Sequence, residues 1–256
     1  MKERGLARKK GKSHNQPAKG DVIPGQVHSD ATGGGSISFS FNVILVNLPE
    51  LLRGAGLTLL LSVETMILGI VVGLVACALQ LHAGRWARRA IQVWIEVVRN
   101  TPLIVQLFII YFGLPELGFR PSANTAALIG LGNYLGAFAT EIFRAGIESV
   151  PSGQIEAGRS LGLRPLQTFR FVIAVPALRA VLPALGSQFT LILLATSVVS
   201  TISADELASI ANGLQTTNFR PFEIYLAASL IYLAMVLTLR GLLAVAAGAY
   251  VGRWQE

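Results

Sequence analysis

Residues 121–140 and 180–204 contain no charged side chain. A mostly apolar run of about 20 residues is the length an α-helix needs to cross the hydrocarbon core of a bilayer. Within lipid the backbone must satisfy its own hydrogen bonds, so runs of this kind fold as helices. The whole chain shows five candidate spans, at 54–81, 89–113, 122–147, 179–202 and 222–246. The second carries Glu96 and Arg99, and the fifth carries Arg240 close to one end, where the side chain can snorkel to the interface. The predicted fold class is an all-α integral membrane protein with about five transmembrane helices. Composition agrees, since 14% charged residues is well below the roughly 25% of soluble domains.

Ahead of the first span, Ile37–Leu48 is too short to cross a bilayer and is cut by Pro49-Glu50. Residues 37–53 are therefore expected to form an amphipathic segment on the membrane surface, leading into a transmembrane domain over 54–250. The net charge of +7 resides almost wholly in the N-terminal tail, where residues 1–20 hold seven basic side chains against Glu3. A Gly-, Ser- and Asp-rich stretch follows where a secretory signal would need an apolar core. Residues 1–36 are expected to be a disordered basic arm, with no role in nucleic-acid binding.

Catalytic and metal chemistry find little support. The single cysteine, Cys77, permits neither a disulfide framework nor a thiolate cluster, and the three histidines are scattered. No metal site and no catalytic residues are expected. Gly11-Lys12-Ser13 resembles the end of a phosphate-binding loop, but Leu6 stands where its first glycine is required. This chain is not expected to bind ATP, and no cofactor of its own is expected.

Short loops set orientation through their Lys/Arg content. Arg85, Arg88 and Arg89 follow the first span, and Arg159, Arg164, Arg170 and Arg179 follow the third; the other two loops have only Arg120 and Arg220. This distribution predicts a cytoplasmic insert at 150–178, a cytoplasmic C-terminus and an external N-terminus. Within the insert, Pro151-Ser152 suits a helix start, with Ser152 free to cap it. Glu156 then falls near the positive end of the helix dipole. Gly162 offers a stop, and Pro165 opens a second helix predicted to end at Pro176. Leu166, Phe169 and Ile173 share one face of that helix and are expected to bury against the spans.

The sequence Glu156-Ala157-Gly158-Arg159-Ser160-Leu161-Gly162 resembles the cytoplasmic loop of permease subunits in ATP-binding-cassette importers, which reads Glu-Ala-Ala, three residues, then Gly. The resemblance covers roughly residues 39–240 and sharpens to the polar amino acid branch. Glu96-Val97-Val98-Arg99-Asn100-Thr101-Pro102-Leu103 and the run through Gln106 look like one signature of that branch. Glu141-Ile142-Phe143-Arg144-Ala145-Gly146, Thr196-Ser197 and Phe219-Arg220-Pro221-Phe222-Glu223 follow in the family's order. Departures include Gly158 for the second alanine, Asn100 for glycine, a proline at 176 instead of 175, and Leu194-Ala195 where many relatives carry Lys-Asp.

The resemblance implies a subunit without enzymatic activity that forms the path for ATP-driven import of a polar amino acid across a bacterial inner membrane. It implies docking of two ATP-binding subunits, which carry ATP and Mg, on an insert whose contact residues are Glu156, Ala157, Gly158, Ser160 and Gly162. Its other partners are a second permease copy, identical or related, an extracytoplasmic amino-acid-binding protein, and membrane lipid. Candidate pathway residues are Glu64, Thr101, Gln106, Thr196 and Ser197. Glu64 stands at mid-span, where a charge is costly unless it meets a cavity or a partner. Gln106 either reaches the pathway or bonds a neighbouring helix. Glu96 with Arg99, and Glu141 with Arg144, are spaced to form structural ion pairs. Thr58, Ser62, Thr65, Gly69, Gly73 and Ala76 form a stripe of small residues suited to close packing. The rival reading is an ion-coupled secondary transporter or channel, with Glu64 or Glu141 handling the ion.

Overall fold

A computed structural model describes residues 41–252 of the chain, with side-chain surroundings described as far as Val245. The tail at 1–36 and residues 37–40 of the expected surface segment lie outside the described residues. Among the described residues every regular element is helical: α1 (Phe41–His82), α2 (Arg85–Asn100), α3 (Leu103–Phe108), α4 (Ala123–Glu148), α5 (Ser152–Ser160), α6 (Pro165–Gln167), α7 (Ala174–Ala195), α8 (Leu207–Asn218) and α9 (Pro221–Gly252). Four segments are long and apolar enough to cross a membrane, and five if the bent pair of Arg85–Asn100 and Leu103–Leu117 is one broken span.

The core is built on glycine. Gly69 and Gly73 of α1 face Gly132 and Gly136 of α4, so each helix offers a Gly-x-x-x-Gly face to the other. A β-carbon at Gly69 lands 2.5 Å from Leu135, one at Gly73 lands 2.6 Å from Ala139, one at Gly132 lands 2.5 Å from Leu68, and one at Gly136 lands 2.5 Å from Val72. The rising register shows that α1 and α4 run parallel. Between membrane helices, where lipid tails are as apolar as leucine, close backbone approach and the dispersion it brings hold the pair together. The predicted small-residue stripe is buried along its length, from Thr58 and Ser62 through Thr65, Gly69 and Gly73 to Ala76. α7 returns antiparallel to α4, with Gly146 closed over Val181 and the Ala177 carbonyl. α8 and α9 complete the bundle around Leu51, Ala55, Leu207, Ala211 and Ile224. Outward faces are mostly apolar, with Leu60, Val63, Ile67 and Val71 of α1 and Leu230, Leu233 and Leu237 of α9 exposed, as hydrocarbon-facing helices require.

Three expectations need correction. Residues 41–53 are not a separate segment, because α1 runs through Pro49 as one 42-residue helix. A proline removes one i→i−4 hydrogen bond, and the remaining ladder carries the helix past it. At ~1.5 Å per residue α1 is about 63 Å long, twice the ~30 Å hydrocarbon core, so much of it lies beyond that core. The second insert helix likewise does not end at Pro176. It joins the fourth span in one segment, Pro165–Ile202, with a π-helical turn at Thr168–Ile173 and a 3-10 end at Thr196–Ile202. Pro176 leaves unbonded the carbonyl one turn back, that of Val172, which lies within the widened turn; such local π adjustment lets membrane helices pass a proline. The third correction concerns the face predicted to bury. Leu166 is 77% exposed and Phe169 46%, while Thr168 is buried. α8, between the fourth and fifth spans, went unforeseen.

Candidate functional site

The Thr101-Pro102 step breaks the second span by 110°. Thr101 takes an extended conformation, as the residue before a proline prefers, and α2 stops there. Several carbonyls at the break are met by side chains. Asn100 Nδ2 donates to the Glu96 carbonyl at 2.8 Å, and Thr101 Oγ1 donates to that of Val97 at 2.8 Å. Gln106 Nε2 reaches back from α3 to the carbonyls of Val98 (2.8 Å) and Thr101 (3.1 Å) and to Thr101 Oγ1 (2.9 Å). Of the two roles open to Gln106, the geometry matches the second, a bond to a neighbouring helix. Asn100 contributes one of these caps.

Beside the break, α1, α2 and α4 enclose a cleft of about 610 Å³. Its wall is polar: Gln80, Gln92, Glu96, Arg99, Asn100, Glu141 and Arg144, with the Phe138 ring. Arg144 donates from each of its three nitrogens, to Glu141 at 2.9 and 3.2 Å and to Glu148 at 2.6 Å. The expected Glu141–Arg144 pair is therefore present, but the expected Glu96–Arg99 pair is not. Arg99 turns instead to Glu141 at 3.7 Å and lies 5.0 Å from the Phe138 ring centroid. Helix spacing made Glu96 available, yet α4 brings Glu141, already oriented by Arg144, within reach of the same guanidinium. Among the described residues Glu96 has no ion-pair partner. The Arg99–Glu141 contact is long and part exposed, and such pairs hold with about 1 kcal/mol or less. Gln80, also on this wall, is 95% buried and its Oε1 has no hydrogen-bond partner.

A second polar cluster was missed by sequence reasoning. Glu206 is fully buried at the start of α8 and accepts from the amides of Ala208 (2.9 Å) and Ser209 (2.5 Å) and from the Tyr232 hydroxyl (2.5 Å). The Leu207 amide donates to Thr58 Oγ1 at 3.0 Å. The first three amides of α8 are thus capped by groups that tie it to α1 and α9. Burial pushes the Glu206 carboxyl above its ordinary range, against the opposing pull of Tyr232 and the two amides. The available signal was an acidic pair, Asp205-Glu206, just before a periodic apolar run.

The remaining pathway candidates lie elsewhere. Glu64 is exposed on the outward side of α1, next to exposed Val63 and Ile67. Thr196 is fully buried and donates to the Leu193 carbonyl at 2.6 Å, while half-buried Ser197 donates to that of Leu194 at 2.7 Å.

The insert between α4 and the fourth span is a compact elbow. Pro151 takes the position before α5, and Ser152, expected as a cap, is its first residue without capping through its side chain. Gly162, with φ of +77°, ends the turn. Its amide donates to the Arg159 carbonyl (2.9 Å) and that of Leu163 to the Gly158 carbonyl (3.2 Å), the paired bonds of a Schellman motif. Gly158 is buried, and a β-carbon there would sit 3.2 Å from Val172 and 3.7 Å from Thr168. It seats α5 on the π-helical turn and does not belong to the outer surface, unlike Glu156, Ala157, Ser160 and Gly162, which are exposed. Exposed Leu161 and Leu166 flank them.

Comparison with known proteins gives concordant results. The family described as binding-protein-dependent transport system inner membrane component matches residues 66–250. The glutamine transport system permease protein GlnP of Escherichia coli is 37% identical over 205 residues, spanning 79% of this chain and 94% of the relative. The nopaline transport system permease protein NocM of Agrobacterium fabrum is 33% identical over 201 residues, 75% of this chain and 83% of the relative. A solved structure described as an amino acid ABC transporter with histidines aligns with a TM-score of 0.78 at 34% identity, covering 82% of this chain and 99% of that one.

Proposed function

Since the chain belongs to the binding-protein-dependent transport system inner membrane components, the membrane-spanning permeases of ABC importers, we propose that it lines the route by which a polar amino acid enters the cell. The motor is a separate pair of ATP-binding subunits, each with ATP and Mg, and a second permease copy closes the route. An extracytoplasmic binding protein delivers the solute from the side of the N-terminus, across a bacterial inner membrane. The insert and the C-terminus face the cytoplasm. The docking residues are Glu156, Ala157, Ser160 and Gly162, with Gly158 acting from beneath them.

The observation that carries this reading is mechanical. α5 is held through Gly158 against the π-helical turn, and that turn is continuous with the 38-residue segment Pro165–Ile202. A push on α5 therefore reaches the fourth span, which packs antiparallel on α4. Only differential binding of the motor to two arrangements of this lever can drive the switch. No bond is made or broken in this subunit.

The test is uptake into proteoliposomes holding the permease with the ATPase that copurifies with it, supplied with the binding protein and a mixture of the twenty L-amino acids. ATP-dependent accumulation of at least one amino acid is expected, with none when the ATPase is omitted. Robust uptake driven by an ion gradient in the absence of the ATPase overturns the reading in favour of a secondary transporter.

A further inference from the structure

Resting on the reading that the cargo is an amino acid, we infer that the cleft between α1, α2 and α4 is a binding site for the cargo's charged end, with Arg99 receiving the α-carboxylate and Glu96 the α-ammonium. The two side chains lie one turn apart on α2, the spacing at which helix neighbours face the same side. Both border the cleft, and neither is used up by the fold. Glu96 has no ion-pair partner among the described residues. Arg99 meets Glu141 only at 3.7 Å, beyond the 2.7–2.9 Å of a charge-assisted hydrogen bond, so its donors remain open to a better acceptor. Arg144, three residues beyond Glu141, shows the contrast: each of its three nitrogens donates at 2.6–3.2 Å, and it serves to hold Glu141 in place.

The chemistry selects a zwitterion. A lone anion would satisfy Arg99 and leave Glu96 bare, and a lone cation would do the reverse. A molecule carrying both charged groups on one carbon satisfies the two together. The cleft, about 610 Å³, falls within the range of small-molecule sites. The rest of the cleft's lining also suits a polar guest. Gln80 is buried there with an unpartnered Oε1, and a turn of its carboxamide offers an acceptor to an incoming N–H. Gln92 adds a second amide. Polar groups without internal partners are costly in a packed interior unless something fills the space beside them.

The experiment places a reporter thiol in the wall of the cleft. Full-length permease with Cys77→Ser and Gln92→Cys is assembled with its ATPase in proteoliposomes, and the rate of modification by N-ethylmaleimide is measured. The probe is L-glutamine or, where those vesicles do not take it up, the L-amino acid that they do. Modification is expected to slow at least fivefold with the amino acid, and not with its α-amide or its N-acetyl derivative. Adding Arg99→Gln should abolish discrimination against the α-amide, and adding Glu96→Gln should abolish discrimination against the N-acetyl derivative. A purely structural role for either residue would move neither selectivity. A thiol at Leu161→Cys, on the insert, should react at one rate throughout. Asn100→Cys reports on the same cleft should Gln92→Cys not assemble. Uptake of an amino acid that protects neither reporter overturns the site and leaves the import reading standing. Failure to take up any of the twenty removes both.

Discussion

Replacing Gly73 by alanine puts one methyl group into the parallel glycine seam between α1 and α4. Its β-carbon would stand 2.6 Å from Ala139 Cβ and 3.1 Å from both the Ala139 carbonyl carbon and the Thr140 amide nitrogen. Carbon pairs prefer about 3.5–4.0 Å, and two of these three neighbours are backbone atoms that cannot rotate away. α1 and α4 must therefore part by a fraction of an ångström to about one ångström, which sacrifices a quarter to a half of each dispersion contact along the seam. Overpacking of this kind costs about 1–3 kcal/mol, and alanine's better helix propensity returns only ~1 kcal/mol. Gly56 supplies the control, since a β-carbon there meets nothing within 4 Å. Gly56→Ala is therefore expected to be neutral or stabilising by up to about 1 kcal/mol. For a chain of this size, ~2 kcal/mol corresponds to a shift of about 4–8 °C. Thermal scans of the two variants in the same detergent should thus move in opposite directions. The compensating pair Gly73→Ala with Ala139→Gly should recover part of the loss, because it removes the 2.6 Å contact and leaves the two backbone contacts. Equal shifts for Gly73→Ala and Gly56→Ala, or no recovery in the pair, would refute the reciprocal glycine seam as the basis of the core.

Three further outcomes follow from single sites. Gly162→Val forces a branched side chain onto φ of +77°, so the Schellman turn should loosen; more ATP hydrolysed per amino acid imported is expected, and an unchanged ratio counts against the elbow as the transmitting element. Gln106→Leu strips the donors from the Val98 and Thr101 carbonyls and should cost about 1–3 kcal/mol, with faster amide exchange confined to the last turn of α2; uniform exchange along the chain would contradict the capping role. Glu206 carries a raised folded-state pKa, so its contribution to stability is full below the ordinary carboxyl value and is lost as pH rises through the folded value. Melting temperature should accordingly decline across that interval in the wild type more than in Glu206→Gln, and parallel curves would show that this carboxyl is not the source.

Local features were legible because their causes are local. An uncharged run of twenty residues has to be a helix in lipid, and a glycine ahead of a proline-led segment invites a left-handed stop. Each is decided by atoms within a turn or two, so the spans and the turn at Gly162 could be placed from the chain alone. Spacing also marked the buried stripe on α1, although not what it would bury against. Partner choice lay beyond such reasoning. Arg99 had Glu96 at the right interval and took Glu141, because the packing of α4 on α2 brings an oriented carboxylate closer to the guanidinium than its own helix neighbour. Pro176 looked like a terminus, and the π-helical turn before it turned it into the interior of a long segment. Glu206 carried a capping signal, but its burial against Tyr232 and the neighbouring Thr58–Leu207 bond exist only once α1 and α9 have met around α8. Pairing across 26 to 149 residues depends on which surfaces come within a few ångströms, and three-dimensional packing alone supplies that distance.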